Sequence, residues 1–475
     1  MSDLREFIKR VEELGELMVV EGADWNLEIG SIAQMVAARP NPPALLFDKI
    51  QGYQLGWRVF SLAFTTDKRA ALLLGMPLEL KGIELVRALK DKLKERFERV
   101  PPVEVKDGPV MENVHMGSEV DLFAFPTPHW HHRDGGRYIG TGDIIIQKDP
   151  EEGWVNLGTY RVQLHDKTTA TIFMEGSRHG TFIRKKYWDR GQSCPVAVCC
   201  GEDPLLFFAG SSGVPWGVSE YDYTGWWRKQ PVEVIKGPTT GLPIPASAEI
   251  VLEGEIVPPE VETRLEGPFS EWTGHFSPSR QIAAFRVKCV MHRNNPIMFG
   301  NIPFVGRGIR YWVGDLIGAA RVWNELDRLT TGIKGVWADV EFGPRGALII
   351  SLEQKYGGQA KHVALMALAV RSHMQKYIIL VDDDIDPSNT RDVHWAMGLR
   401  SEPEESIEII RNTESGDLDP RVSPQKRAIG DLTHSSAIIS ALKPFHWIKE
   451  FPPTFIRDRE LEEKLKQKFD VLRTE

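Results

Sequence analysis

Two carboxylates on one tight turn are the first candidates for chemistry: Glu266 and Glu271 bracket Gly267, Pro268 and Phe269 in the string EGPFSE. Held close, such carboxyls repel, and one of them keeps a proton near neutral pH and can act as a general acid. A solvated acidic turn has the same spacing, so the string alone leaves both readings open. A second set is Asn156, His179 and Glu220, each beside a turn, in WVNLGTYR, EGSRHGTF and SGVPWGVSEYDYTG. An amide oxygen, an imidazole and a carboxylate suit a divalent ion such as Mn2+ or Mg2+ better than a thiolate-preferring one. Scattered over the chain, these three need support from elsewhere.

Other strings carry weaker signals. His129, His131 and His132 in HWHHRDGG invite a zinc reading, but HExxH and a matching distant pair are missing, and local hydrogen bonding in a loop accounts for them better. The acidic run VDDDIDP fails the calcium-loop pattern and is read as capping the next helix. GRYIGTG and KYGGQAKHV match neither a dinucleotide fingerprint nor a Walker loop. Lys361, in the second of these, is either a point charge for a phosphate or a solvated helical lysine. With no GxSxG elbow and no partner motif for the cysteines, nucleophilic hydrolysis lacks support.

The elements that must position these groups fall into three parts, as a length of 475 residues suggests. Residues 1–115 read as a mixed α/β domain. It opens with a helix whose Leu4, Phe7, Ile8 and Val11 share a face, with Ser2 as its cap and Gly15 as its end. Strands at 44–50 and 57–64 and a helix at 81–97 follow, before Pro101 and Pro102 break the pattern. Residues 116–305 alternate β-branched runs with Gly/Pro turns and have little helical signal. They read as a sheet closed into a barrel, with the motifs on strand ends and loops. Residues 306–475 return to an αββαβ order, and the charged final helix could cross to a second subunit.

Composition narrows the partners. Lys plus Arg is 58 against 66 for Asp plus Glu, a net charge of −8, which disfavours nucleic acid and polybasic membrane binding and favours small partners. Four scattered cysteines form no disulfide framework and suit a reducing cytoplasm. No apolar run is long enough for a membrane span, so the reading is a soluble intracellular protein.

Taken in order, HWHHRDGGRYIGTG, WVNLGTYR, MEGSRHGTF, VSEYDYTG and EGPFSEWTG resemble the UbiD family of reversible decarboxylases, and the likeness covers nearly the whole chain. The resemblance implies non-oxidative loss of CO2 from aromatic, heteroaromatic or α,β-unsaturated carboxylic acids, using prenylated FMN. CO2 would leave from a covalent substrate–cofactor adduct, with protonation by a glutamate. It further implies a split β-barrel like that of flavin reductases, holding the cofactor between two α/β domains, the carboxy-terminal one used for oligomerisation.

By motif, Asn156, His179 and Glu220 would bind Mn2+ (or Mg2+) that ties the cofactor phosphate to the protein, often with K+ nearby. Arg161 would network with Glu266 and Glu271, and Glu271 is assigned as the proton donor. Thr159, Tyr160, Ser212 and Val214 would lie along the isoalloxazine, and Arg178 and Lys361 near the phosphate. A flavin prenyltransferase would supply the cofactor, and a homodimer or higher oligomer is expected. The segment between Ser212 and Glu220 and the loop 431–447 vary with substrate in such enzymes. Phe304, Tyr311, Trp312 and Phe445 could form a flat apolar pocket or simply pack in the core. Alternatives are the catalytic subunit of a multi-subunit phenol or aryl carboxylase, and a non-catalytic flavin-binding assembly protein.

Overall fold

The apolar spacing at the amino terminus produces a helix, Leu4–Glu13, that buries Leu4, Phe7, Ile8 and Val11. Its cap is Asp3, whose side chain accepts from the Glu6 N–H; Ser2, the cap expected from the sequence, lies outside the described residues. Gly15 follows in the left-handed conformation that ends such a helix readily. The computed structural model describes residues 3–174, 176, 178–302, 309–343, 345–371, 373–454 and 459–469. Phe304 lies outside these, as do the side chains of Tyr311 and Trp312.

The first sheet has the order Leu17–Glu21, Ala44–Asp48, Arg58–Ser61, Ile297–Gly300. Its last strand comes from far along the chain and runs parallel to Arg58–Ser61, pairing Met298 with Val59 and Phe299 with Phe60. The amino-terminal layer is therefore not confined to residues 1–115. The boundary at 116 also cuts the strand Asn113–Met116, which pairs with Arg280–His292 of the central sheet. The helix Gly82–Lys92 is shorter than its sequence pattern. It buries Leu85, Val86 and Leu89, and Lys90 joins Asp327 of the long helix Ile309–Leu329 at 2.5 Å.

A ten-stranded sheet forms the middle of the chain. Its main path runs Tyr138–Gly140, Val162–Leu164, Thr169–Ile172, Arg280–His292, Ile250–Ile256, Cys194–Cys200, Asp143–Lys148, Val155–Gly158. The 13-residue strand Arg280–His292 also pairs with Asn113–Met116 and Thr263–Glu266. All four cysteines are buried thiols. This part holds more helix than its sequence suggests: His179–Trp188, Pro204–Ser211 and Glu220–Arg228 are inserted between the strands. Two of these helices begin at candidate metal ligands, so those residues sit on helix starts rather than strand ends.

The carboxy-terminal sheet, in the order Ile333–Asp339, Ala347–Leu352, Tyr377–Asp382, Thr433–Ala441, Ile407–Glu414, follows the αββαβ reading. The acidic run does not cap the next helix. Asn389 does, accepting from the Arg391 and Asp392 N–H groups, while Asp382 and Asp384 grip the buried Arg400 at 2.7–2.8 Å. Much of the segment read as the loop 431–447 is the strand Thr433–Ala441. Among the described residues no helix is long and apolar enough to cross a membrane.

Candidate active site

One cavity of about 350 Å3 is lined by Asn156, Thr159, Tyr160, Arg161, Arg178, His179, Val214, Glu220 and Glu271, gathered from strands, turns and helix starts of the middle of the chain. Asn156 lies on strand Val155–Gly158, 2% exposed, and its side-chain nitrogen has no hydrogen-bond partner. The Leu157 N–H next to it donates to Glu220 Oε2 at 2.7 Å, which docks the start of helix Glu220–Arg228 on this strand. Burial pushes the Glu220 carboxyl up to about 8, against the pull of backbone N–H donors. His179 opens its helix with its ring edge-on to Trp154 and Trp216, at 5.8 and 5.2 Å between centroids. Desolvation lowers its proton affinity, favouring the neutral imidazole that ligates metals.

These side chains fit a hard divalent ion: an unpartnered buried amide, a neutral imidazole and a carboxylate on one cavity wall. Among the described residues no group of three or more His, Cys, Asp or Glu side chains is arranged to hold a metal. The set therefore depends on the amide. Glycines let neighbouring side chains pack closely at and behind this wall. A Cβ on Gly158 would stand 2.4 Å from the Tyr160 ring, and one on Gly180 would stand 2.5 Å from Gln147 Oε1.

The same cavity carries an ion array. Arg161 Nε and Nη2 donate to Glu266 Oε1 and Oε2 at 2.7 and 2.9 Å, and Nη1 donates to Glu271 Oε1. Glu266 is fully buried, and the Arg161 and Glu271 side chains are 8% and 11% exposed. The guanidinium lies 4.0 Å over the Phe173 ring and 4.9 Å over Phe269. Burial opposes its charge, but the hydrogen bonds to Glu266 and the two carboxylates outweigh this and raise its proton affinity.

The turn that carries both glutamates is held by the HWHHRDGG segment; the expected local bonding describes only His129 with Asp134, since His131 and His129 also bond the distant Ser270 and Asn26, and His132 packs edge-on to Phe276. Asp134 accepts the Ser270 N–H at 2.8 Å and the His131 N–H at 2.9 Å, and Ser270 Oγ shares a 2.7 Å hydrogen bond with His131 Nδ1. His129 bonds Asn26 and the Asp134 carbonyl. The Gly135 N–H donates to the Pro268 carbonyl at 2.7 Å, and a Cβ on Gly135 would lie 2.1 Å from the Gly267 oxygen. Gly135→Ala is therefore expected to destabilise the fold by about 1–3 kcal/mol through overpacking of this turn, measured by denaturant unfolding. An unchanged midpoint would show that the turn can yield freely.

Ten of the twelve residues singled out in the sequence come together, with Glu266 just behind Arg161. Two do not. Ser212 turns its hydroxyl to the Phe208 carbonyl at 2.6 Å, while its neighbours Ser211 and Gly213 line the cavity. Lys361 lies on the exposed side of helix Gln359–Val370, paired with Glu408 at 2.8 Å, because a helix start there presents it to solvent. Phe445 is likewise outside the lining and 38% exposed. Sequence reasoning missed Thr141, Asp143, Phe173, Trp272, Asn301 and Leu418. Trp272 directly follows the EGPFSE turn and could have been found from it. Leu418 comes from the carboxy-terminal part of the chain and has no local signal.

Sequence models of the 3-octaprenyl-4-hydroxybenzoate carboxy-lyase match all three parts of the chain. The Rift-related domain matches residues 102–307, the C-terminal domain 311–441 and the N-terminal domain 8–89. A pyrrole-2-carboxylic acid decarboxylase of Pseudomonas aeruginosa is 32% identical over 422 residues, 84% of this chain and 83% of its own length. A phenolic acid decarboxylase of Streptomyces is 30% identical, covering 89% of each chain. Among solved structures, the UbiD-class enzyme HmfF from Pelotomaculum thermopropionicum in complex with FMN has a TM-score of 0.86 at 26% identity, over 98% of this chain and 100% of that one. The vanillic acid decarboxylase of Sedimentibacter hydroxybenzoicus in open form has 0.85 at 27%, over the whole of both. The ordered motifs, the three-part α+β architecture and the buried Glu–Arg–Glu array thus agree with these likenesses: the chain belongs to the UbiD family of carboxy-lyases.

Proposed function

We propose that this chain releases CO2 reversibly from an aromatic, heteroaromatic or α,β-unsaturated acid, using prenylated FMN held in the central cavity with Mn2+ or Mg2+, and with K+ nearby. The observation that carries this reading is the Glu266–Arg161–Glu271 array on the wall of the cavity that also holds Asn156, His179 and Glu220. Asn156, His179 and Glu220 would hold the divalent ion, and Arg178 would meet the phosphate. Thr159, Tyr160 and Val214 would flank the ring system. When bound, the cofactor supplies an electron sink for the charge left on an sp2 carbon as CO2 departs.

The chain's own residues do the rest. Phe173, Phe269 and Trp272 give the cavity an apolar face that strips water from a substrate carboxylate. Arg161 grips Glu266 with two N–H groups and orients Glu271, whose carboxyl delivers a proton to the carbon that bore CO2. A non-catalytic assembly protein would have no use for carboxylates buried around an arginine. We read the central sheet as a split barrel of the flavin reductase type, and the chain as cytoplasmic, a homodimer or higher oligomer, loaded by a flavin prenyltransferase.

The test is to co-express the chain with a flavin prenyltransferase, supply Mn2+, identify the released small molecule by mass spectrometry, and assay CO2 from pyrrole-2-carboxylate and phenolic acids. Prenylated FMN together with CO2 release is the expected result. Unmodified FMN or none, with no turnover, would overturn the reading.

A further inference from the structure

Tyr138 is fully buried on strand Tyr138–Gly140 and packs on Phe269 with ring centroids 4.5 Å apart. Its hydroxyl stands 3.0 Å from Glu266 Oε1, 3.1 Å from Gln163 Oε1 and 3.4 Å from the Pro268 carbonyl, one proton among three acceptors, of which that carbonyl is the most distant and already accepts the Gly135 N–H. Gln163 is fixed in orientation, because its Nε2 donates to the Gly135 carbonyl at 2.9 Å and its Oε1 accepts the Gly267 N–H at 2.9 Å. With that oxygen already engaged, the phenol proton goes to the stronger acceptor, the Glu266 carboxylate. Burial first, and the Glu266 charge next, raise the phenol's proton affinity, so Tyr138 stays a donor at every working pH.

The arrangement breaks the symmetry between the two glutamates. One guanidinium serves both, but it gives Nε and Nη2 to Glu266 and only Nη1 to Glu271, and Tyr138 adds its O–H on the Glu266 side. We propose that Tyr138, steadied by Gln163, is a positioning residue that locks Glu266 to Arg161, so that the proton exchanged in turnover is carried by Glu271. This rests on the decarboxylase reading above for its catalytic meaning, but not for its electrostatics. The charged and titratable groups around the pair are Arg161, Glu271, Asp134, His165 and Arg280, the last opposite Glu266 in the sheet. Tyr138→Phe leaves all of them in place.

The experiment is a pH titration of the carboxylic-acid C=O stretch by infrared difference spectroscopy on the cofactor-loaded protein. The band is assigned to Glu266 by its loss in Glu266→Gln. In Tyr138→Phe the band is expected to appear at a pH higher by about one, because a donor to the anion is gone. Site-specific 3-fluorotyrosine at position 138, an isosteric and stronger donor, moves it the other way and decides the matter if the Phe variant does not fold. In the same Tyr138→Phe protein, kcat falls about ten- to one-hundredfold with KM within about twofold, and the acid limb of the rate profile moves up with the infrared midpoint. Coincident midpoints in all three proteins overturn the proposal whatever the turnover. If the parent chain releases no CO2 while the midpoints move, the electrostatic role stands and the decarboxylase reading falls.

Discussion

Glu271→Gln is expected to abolish decarboxylation while the protein still purifies with its cofactor. Glutamine copies the shape of the side chain but has no acidic proton, and loss of a positioned general acid costs about 10²- to 10⁴-fold. The change leaves the rest of the array standing, because Arg161 keeps its two-pronged hold on Glu266. The cofactor should be indifferent to it, since Asn156, His179 and Glu220 reach the cavity from other elements. The measurement pairs CO2 release, and deuterium incorporation from D2O into product, with the absorbance and mass of the bound flavin. A variant that turns over at the parent rate would remove Glu271 from the proton-donor role.

His179→Ala is expected to do the reverse: a folded protein that purifies without flavin or metal. Its imidazole stands at the start of helix His179–Trp188, framed by Trp154 and Trp216, and alanine is a good helix former at that position. Fold is therefore spared, since the contact between Glu220 and the Leu157 N–H does not involve His179. Losing one of the three proposed ligands should weaken cofactor retention by about 100-fold or more, at least the cost seen when only a ligand's supporting partner is lost. Because a ligand that binds only the folded state raises its stability, the gain in Tm on adding Mn2+ and cofactor should vanish too. Flavin-to-protein absorbance and elemental analysis read the first effect, and thermal melts with and without cofactor the second. Full occupancy in the variant would show that His179 is not a ligand.

Legibility in the sequence followed burial geometry. A helix with one wet face leaves a period, and Leu4, Phe7, Ile8 and Val11 announced theirs. Helices Pro204–Ser211 and Glu220–Arg228 are buried almost all round, so PLLFFAGS and EYDYTGWWR have no polar stripe to betray them. That is why the middle of the chain read as nearly all β and its candidate metal ligands were placed on strand ends and loops. The chemistry-bearing residues were legible only as an ordered set: EGPFSE alone left a solvated turn open, and Arg161 joined Glu266 and Glu271 through the family resemblance, a trio that the structure brings together and buries. Contacts between distant segments were not legible. Nothing near Leu418 hints that it reaches a cavity formed by residues far earlier in the chain, and nothing in IMFG says which sheet it joins. Lys361 shows the converse error, a plausible charge in a glycine-rich string that the helix turns toward Glu408.

The strand Ile297–Gly300 has a consequence for how the molecule is made. During synthesis the first hundred or so residues leave the ribosome with the edge of Arg58–Ser61 open, since its partner has yet to be translated. An open edge of this kind recruits other chains, and pairing across so long a separation is slow. The nascent amino-terminal layer must therefore wait, guarded or merely half-formed, until the central sheet is complete and returns a strand to it. Fragments that stop before residue 297 should aggregate where longer ones do not.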